Sequence, residues 1–301
     1  MSHHHHHDHS QKRLGQTVAL NIGITLAQGI AGLISGSLSL ISDALHNFSD
    51  VVALLISYVA QHLTNRQPTK KQTFGYKRAE ILAALVNASS LAGVSVFLII
   101  EAIERFNISR EVDSTLVIIF SGLGIVVNSF SAFMLRHEAK SNLNMLSAYR
   151  HLVSDAITSV AVMVGGILIA LYNVLWIDSL LCILIALYLV YCSWDLLAST
   201  LRVLMHFTPD HFDLTKVESY ILSYPQIKNV HHVHTWQLTD NTLHFEGHLD
   251  WREDCLLSEV SVVLAKLRKE LCQEFGITHC LLQPEIHIKD SKDLVHLDGC
   301  N

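Results

Sequence analysis

Charge is scarce in this chain of 301 residues: Asp, Glu, Lys and Arg make up only 16% of it. An ordinary soluble domain carries roughly 25%. Half of the residues are hydrophobic, and the mean hydropathy is +0.34. These values exclude a wholly soluble protein and imply a polytopic membrane protein with room for one small soluble domain. Paired cysteines are missing too. The six cysteines, Cys182, Cys192, Cys255, Cys272, Cys280 and Cys300, are scattered, and no two form C-x-x-C. That argues against a thiolate zinc site and against a disulfide framework. No basic stripe or nucleic-acid motif is present, so no nucleic-acid partner is expected. There is no H-E-x-x-H, the usual arrangement of a zinc hydrolase with its general base, and no enzyme is expected. A cleaved leader is not expected either, because a polar tract occupies the start and the first apolar run continues too far.

Histidine is what the chain has in excess, at 20 residues, six of them within the first nine positions, MSHHHHHDH. One reading is an expression tag. The other is a flexible tail that gathers metal, which the interruption by Asp8 favours. Residues 1–13 are taken as a His-rich cytoplasmic tail.

Six apolar runs of spanning length, roughly 20 residues each, follow: Leu14–Leu33, Leu38–His62, Ile81–Ile103, Leu116–Leu135, Leu146–Tyr172 and Ile177–Leu197. An even number of spans puts both termini on one side. Lys12 and Arg13, then Arg66, Lys70, Lys71, Lys77 and Arg78, then Arg136, Lys140 and Arg150 fall on that side. In the opposite loops, Arg105 and Arg110 are offset by Glu104, Glu111 and Asp113. Both termini are therefore expected in the cytoplasm.

Composition changes after Met205. Thr208-Pro209-Asp210 reads as a break and a helix start, and residues 213–222 have helical spacing. Val230–Leu238 and Leu243–Trp251 alternate like strands around a turn at residues 239–242. Leu256, Val260, Val263, Leu264, Leu267 and Leu271 suggest one face of a second helix ended by Gly276. Ile277–Leu282 is a third strand. The order helix, strand, strand, helix, strand predicts an α+β ferredoxin-like domain at residues 208–290 behind a transmembrane domain at 14–207. Residues 291–301 read as a loose tail. Alternation in the first strand puts His232, His234 and Trp236 on one face and His231 on the other; His244 and His248 share a face of the second.

The most informative stretch is Ser42–Leu55, SDALHNFSDVVALL, which sets His46 and Asp50 inside a run apolar enough to cross a membrane. Ala148–Ala161, AYRHLVSDAITSVA, repeats the spacing as His151 and Asp155. Positions i and i+4 share a helix face. Two such helices facing one another would offer two imidazoles and two carboxylates, a tetrahedral set for a divalent metal of the zinc kind. One imidazole–acid pair has a bland reading, a hydrogen bond to a neighbouring helix. Two pairs at depth do not, since ionisable groups there are costly. A divalent ion would cancel the two aspartates, and protons would replace it when it left. Such a site, opening to alternate sides, exchanges metal for protons. Asp43 either lines an entry path or sits at the outer boundary. Asn47, Asn87 and Asn128 either line a cavity or bond between helices. Gly23, Gly29 and Gly32 suit close helix packing.

The stretches SGSLSLISDALHNFSDVVALL, FGYKRAEILAALVNA, H-L-V-S-D, NVHHVHTWQL and LLQPE together resemble the cation diffusion facilitators, transporters of zinc and related divalent metals. The resemblance covers Leu14 to Glu285. It implies a six-helix proton antiporter exporting metal from the cytoplasm through His46, Asp50, His151 and Asp155. It implies zinc as substrate, with cadmium or cobalt tolerated, and a homodimer formed through the cytoplasmic domain. It also implies regulatory metal ligands at His231, His248 and Glu285. The loop RQPTKKQTFGY lacks the acid and histidine of an accessory site found in some members, and RHEAKSNLNM lacks a histidine-rich insert. The short form suggests a bacterial inner-membrane exporter. A membrane-anchored metal sensor and a metal-dependent membrane enzyme are the competing functions.

Overall fold

The computed structural model describes residues 4–107, 111–136, 143–239, 241–288 and 291–295, with side chains from Ala19 onward except at 143–145 and 147. The histidine side chains at the start, His137 with Lys140 in its loop, Arg110, Asp240 of the hairpin turn and residues 296–301 lie outside the described residues. The chain folds as two units, residues 1–59 with 83–197, and residues 60–82 with 198–301.

Six helices make up most of the first unit: α1 (His4–Ser35), α2 (Leu38–Thr64), α3 (Ala79–Asn107), α4 (Ser114–Leu135), α5 (Leu143–Tyr172) and α6 (Trp176–Leu204). The backbone of α1 begins inside the stretch read from sequence as a tail. Helices α2 to α6 are each long and apolar enough to cross a membrane, and Ala19–Ser35 adds a shorter apolar run. Polarity is inverted relative to a soluble bundle. Large apolar side chains such as Leu26, Ile30, Leu54, Phe133 and Tyr191 point outward, while Gln28, Asp43, Asn128, Asp155 and Ser159 are buried. Lipid satisfies the first group, and only protein or a polar cavity satisfies the second.

Small residues set the closest approach between helices. Of the three glycines in span one, Gly32 is the one that requires its lack of a side chain. A Cβ there would lie 2.7 Å from Ile41 Cγ1 and 3.0 Å from its amide nitrogen on α2. The turn between α1 and α2 is held by a residue of the last helix of the bundle. Asp178, in the first turn of α6, accepts hydrogen bonds from Ser37 Oγ, the Leu38 and Ser39 amides and Ser39 Oγ at 2.5–3.3 Å. The carboxylate thereby caps α2 across the bundle, meeting donors its own helix start leaves open. Arg105 adds a bond from Nη1 to the Gly36 carbonyl, 2.7 Å, and pairs with Glu101.

The second unit carries α7 (Leu214–Leu222), β1 (Ile227–Thr239), β2 (Thr242–Trp251), α8 (Leu257–Phe275) and β3 (His279–Glu285). The sheet order is β1-β2-β3, with β1 antiparallel and β3 parallel to β2. The element order helix, strand, strand, helix, strand is the one expected from the sequence. Asp213 caps α7 by accepting from the Thr215 and Lys216 amides. Val217 and Ile221 of α7 and Val260, Leu264, Leu267 and Leu271 of α8 pack on Val230, Val233, Phe245 and Leu249 of the sheet. Leu256, assigned to the apolar face of α8 from spacing, is instead the residue preceding the helix and is 70% exposed. Periodicity continued one step too far, because the chain there is extended and no longer follows the helical rotation. Gly276 ends α8 with φ of +68°. Gly276→Ala should cost the domain about 1 kcal/mol, since a Cβ is strained in that conformation. Faster amide exchange in the last turn of α8 is the expected readout.

Candidate metal centre

Helices α2 and α5 bring the two spaced pairs together. His46 Nδ1 lies 3.5 Å from Asp50 Oδ2, and His46 Nε2 lies 3.6 Å from Asp155 Oδ1. His151 Nε2 lies 3.3 Å from Asp50 Oδ2 and 3.5 Å from Asp155 Oδ2. Each imidazole therefore approaches both carboxylates, within its own helix and across to the other. The rings meet edge to face with centroids 5.9 Å apart. Burial is graded: the Asp155 side chain is fully buried, while that of His151 is 42% exposed. Among the described residues, neither oxygen of Asp155, nor Oδ2 of Asp50, nor Nδ1 of His46 has a hydrogen-bond partner. A buried carboxylate without donors costs several kcal/mol unless a cation or proton joins it.

One turn away lies a second polar node that spacing did not reveal. Asp43 is completely buried. Its Oδ2 accepts from Gln28 Nε2 of α1 at 3.1 Å and from Ser159 Oγ of α5 at 2.9 Å. Asp43 precedes His46 by one helical turn, and Ser159 follows Asp155 by one. The outer-boundary reading of Asp43 is thus corrected: its neighbours on α1 and α5 enclose it. Gln28, an amide near the middle of α1 and further along its apolar run than Gln16 and Asn21, was the available signal. Asn47 and Asn128 are buried, and neither amide group has a hydrogen-bond partner among the described residues. Of the two readings of Asn128, the interhelical bond is therefore not made among the described residues.

A second cluster forms on the sheet face turned away from α7 and α8. His231 Nε2 stands 3.5 Å from Glu285 Oε2, and His248 Nδ1 stands 2.7 Å from Glu285 Oε1. The His231 and His248 rings are 5.5 Å apart. The sequence reading separated His231 from His232 and His234 by strict alternation, and the register overturns it. His231 pairs with His248 but His234 pairs with Glu246, so β1 spends three residues where β2 spends two. The extra residue is a β-bulge, with His232 at φ +50°. A bulge resets which face the strand presents. His231 and His234 consequently share a face, and the His232 ring stacks on that of His248 at 4.9 Å. His244 stands apart from this group. It stacks on Trp236 at 5.1 Å, and burial, then neighbouring His279, push its imidazole below the ordinary range.

The donor sets of the two clusters can be compared with metal requirements. Two imidazoles and two carboxylates on α2 and α5, or two imidazoles and one carboxylate on the sheet, are nitrogen–oxygen sets that suit zinc and its neighbours. On the sheet, Glu285 Oε2 is buried without a hydrogen-bond partner among the described residues, which fits an acceptor reserved for a cation.

Residues 17–205 match the cation efflux transmembrane domain, and residues 209–287 match the cytoplasmic domain of cation efflux proteins. The chain is similar to the metal cation efflux system protein CzcD of Cupriavidus metallidurans, 37% identical over 94% of this chain and 89% of the relative. It is similar to the cadmium, cobalt and zinc/H(+)-K(+) antiporter of Bacillus subtilis, 32% identical over 95% of this chain and 92% of that protein. It is also similar to the zinc transporter ZitB of Escherichia coli, 30% identical over 94% and 90%.

Proposed function

The chain belongs to the cation diffusion facilitator family of membrane cation-efflux proteins, and from that premise we propose that it exports zinc in exchange for protons. Family members are transporters rather than enzymes, and the protein is an integral, multi-pass membrane protein. It works as a homodimer through its cytoplasmic domain, in a bacterial inner membrane with both termini in the cytoplasm. The transmembrane domain is residues 14–207 and the regulatory domain 208–290. His46, Asp50, His151 and Asp155 bind the substrate metal. His231, His248 and Glu285 bind a regulatory metal.

The observation that carries this reading is Asp155. It is fully buried, it lies 3.5–3.6 Å from both imidazoles, and among the described residues its oxygens accept no hydrogen bond. Zinc bound there is coordinated by two neutral imidazoles and two carboxylates, and the set is close to neutral. When the metal leaves, the same atoms accept protons, since ligands must be deprotonated to bind metal. Proton transfer is thus the opposite half of metal transfer. Imidazole is a ligand of intermediate softness, so cadmium and cobalt should be carried as well, and manganese poorly.

Zinc uptake into proteoliposomes containing a pH-sensitive dye tests the proposal. Zinc entry should be matched by proton exit, and Asp50→Ala and His151→Ala should stop both. Zinc movement indifferent to an imposed pH gradient would refute the antiport. Zinc-regulated signalling that persists after Asp50→Ala and Asp155→Ala together would favour the membrane-anchored sensor.

A further inference from the structure

The segment after β3, expected to be loose, is in part fixed. Residues 291–295 run beside β1: the His232 amide donates to the Asp293 carbonyl at 3.2 Å, and the Val233 amide to the Leu294 carbonyl at 2.8 Å. Asn229 Nδ2 donates to the Lys292 carbonyl at 3.4 Å, and Leu294 packs on the apolar core. These bonds use the bulged part of β1, the place where the strand's own pairing with β2 is interrupted.

This strap delivers one cation. Lys292 Nζ lies 2.9 Å from Asp250 Oδ1 and 3.3 Å from His231 Nε2. An ammonium group has only donors, so Nε2 of His231 is the acceptor and presents its lone pair to Lys292. That same nitrogen faces Glu285 Oε2 at 3.5 Å, which makes it the atom a metal in the sheet cluster would use. Asp250 Oδ2 stands on the other side of the ring, 3.8 Å from Nδ1. A carboxylate there favours the tautomer with its proton on Nδ1, the form in which Nε2 is a ligand.

We infer that Lys292 is a resident cation of the sheet cluster, which a divalent metal must displace from His231 Nε2, so that metal binding loosens the 291–295 strap from β1. The inference rests on reading His231, His248 and Glu285 as a metal site. One lone pair cannot serve both an ammonium and a metal ion. An ammonium left on Asp250 beside a divalent ion would also meet strong repulsion in a partly buried site. Lys292 thus sets the metal concentration at which the cytoplasmic domain responds: binding must overcome the lysine, and an empty cluster stays neutralised and ordered. The strap couples that event to the β1 backbone, because the two amides it covers belong to the bulge between His231 and His234.

The test uses the full chain in nanodiscs with Asp50→Asn and Asp155→Asn present, so that the intramembrane site does not dominate zinc binding. Zinc affinity is read by competition with a chromophoric chelator, and amide exchange is followed at His232 and Val233. Zinc should speed exchange at these two amides. Lys292→Met, which keeps most of the side-chain length, should bind zinc about tenfold more tightly or better, and zinc should no longer change its exchange. His231→Ala should abolish this binding. If zinc binds with unchanged exchange, and Lys292→Met has the parental affinity, the displacement is wrong and the metal site stands. If neither parent nor Lys292→Met binds zinc, the metal-site reading falls as well. Transport, judged separately by flux, is untouched by either result.

Discussion

Asp155→Asn should reduce zinc flux by roughly a hundredfold or more, given that even outer-shell partners of metal ligands cost 10–100-fold. Asparagine keeps the shape and volume, so the bundle should assemble. What it removes is charge. Asp155 is the one member of the cage that is wholly buried, and it approaches both His46 and His151. Without it the divalent ion faces a single carboxylate, Asp50, and carries an uncancelled charge into a low-dielectric site. Asp50→Asn should be less severe, because the Asp50 side chain is 30% exposed and water can replace part of what is lost. Initial zinc uptake in proteoliposomes, normalised to inserted protein, measures both. Equal flux in Asp155→Asn and the parent would remove the cage as the transport site.

Asp178→Ala should destabilise the membrane domain by about 3 kcal/mol, the sum expected for a helix cap and charge-assisted hydrogen bonds lost together. The carboxylate accepts four bonds from residues 37–39 and is almost inaccessible. Its removal leaves the Leu38 and Ser39 amides and two serine hydroxyls without their acceptor. The start of α2 should fray, two turns before His46. Asp178→Asn should recover part of the loss, since its amide oxygen still accepts. Unfolding by SDS titration in mixed micelles reads the difference; a midpoint equal to the parent's would show that the cap is dispensable. Transport should fall less than with Asp155→Asn, because no cage residue has changed.

The local features were legible from sequence. The 3.6-residue period put His46 with Asp50 and His151 with Asp155 on shared faces, and the apolar run lengths marked the spans. Gly276 after α8 is a cap whose chemistry depends on adjacent residues alone, whereas α7 starts after Asp213 rather than at the Thr208-Pro209-Asp210 break. The order of elements after Met205 followed from the change of period from helix to strand. Leu256 shows the limit of that method, since a period does not say where a helix begins.

What the sequence determined by itself is therefore the set of parts: which runs enter the membrane, which costly side chains they carry, and at what spacing. Only the tertiary structure decided which atoms meet. It set Asp155 against both imidazoles, closed Gln28 and Ser159 over Asp43, and placed Asp178 on a helix start 140 residues earlier. It also inserted the bulge that carries His231 to the face of His234, and laid Lys292 on His231. The physical reason is the range of the interactions. Helical rotation, capping and burial preference act over a few residues and repeat in the chain. A bulge, a cross-bundle cap or a lysine laid on a distant histidine depends on a partner strand or helix whose position follows from packing the whole domain.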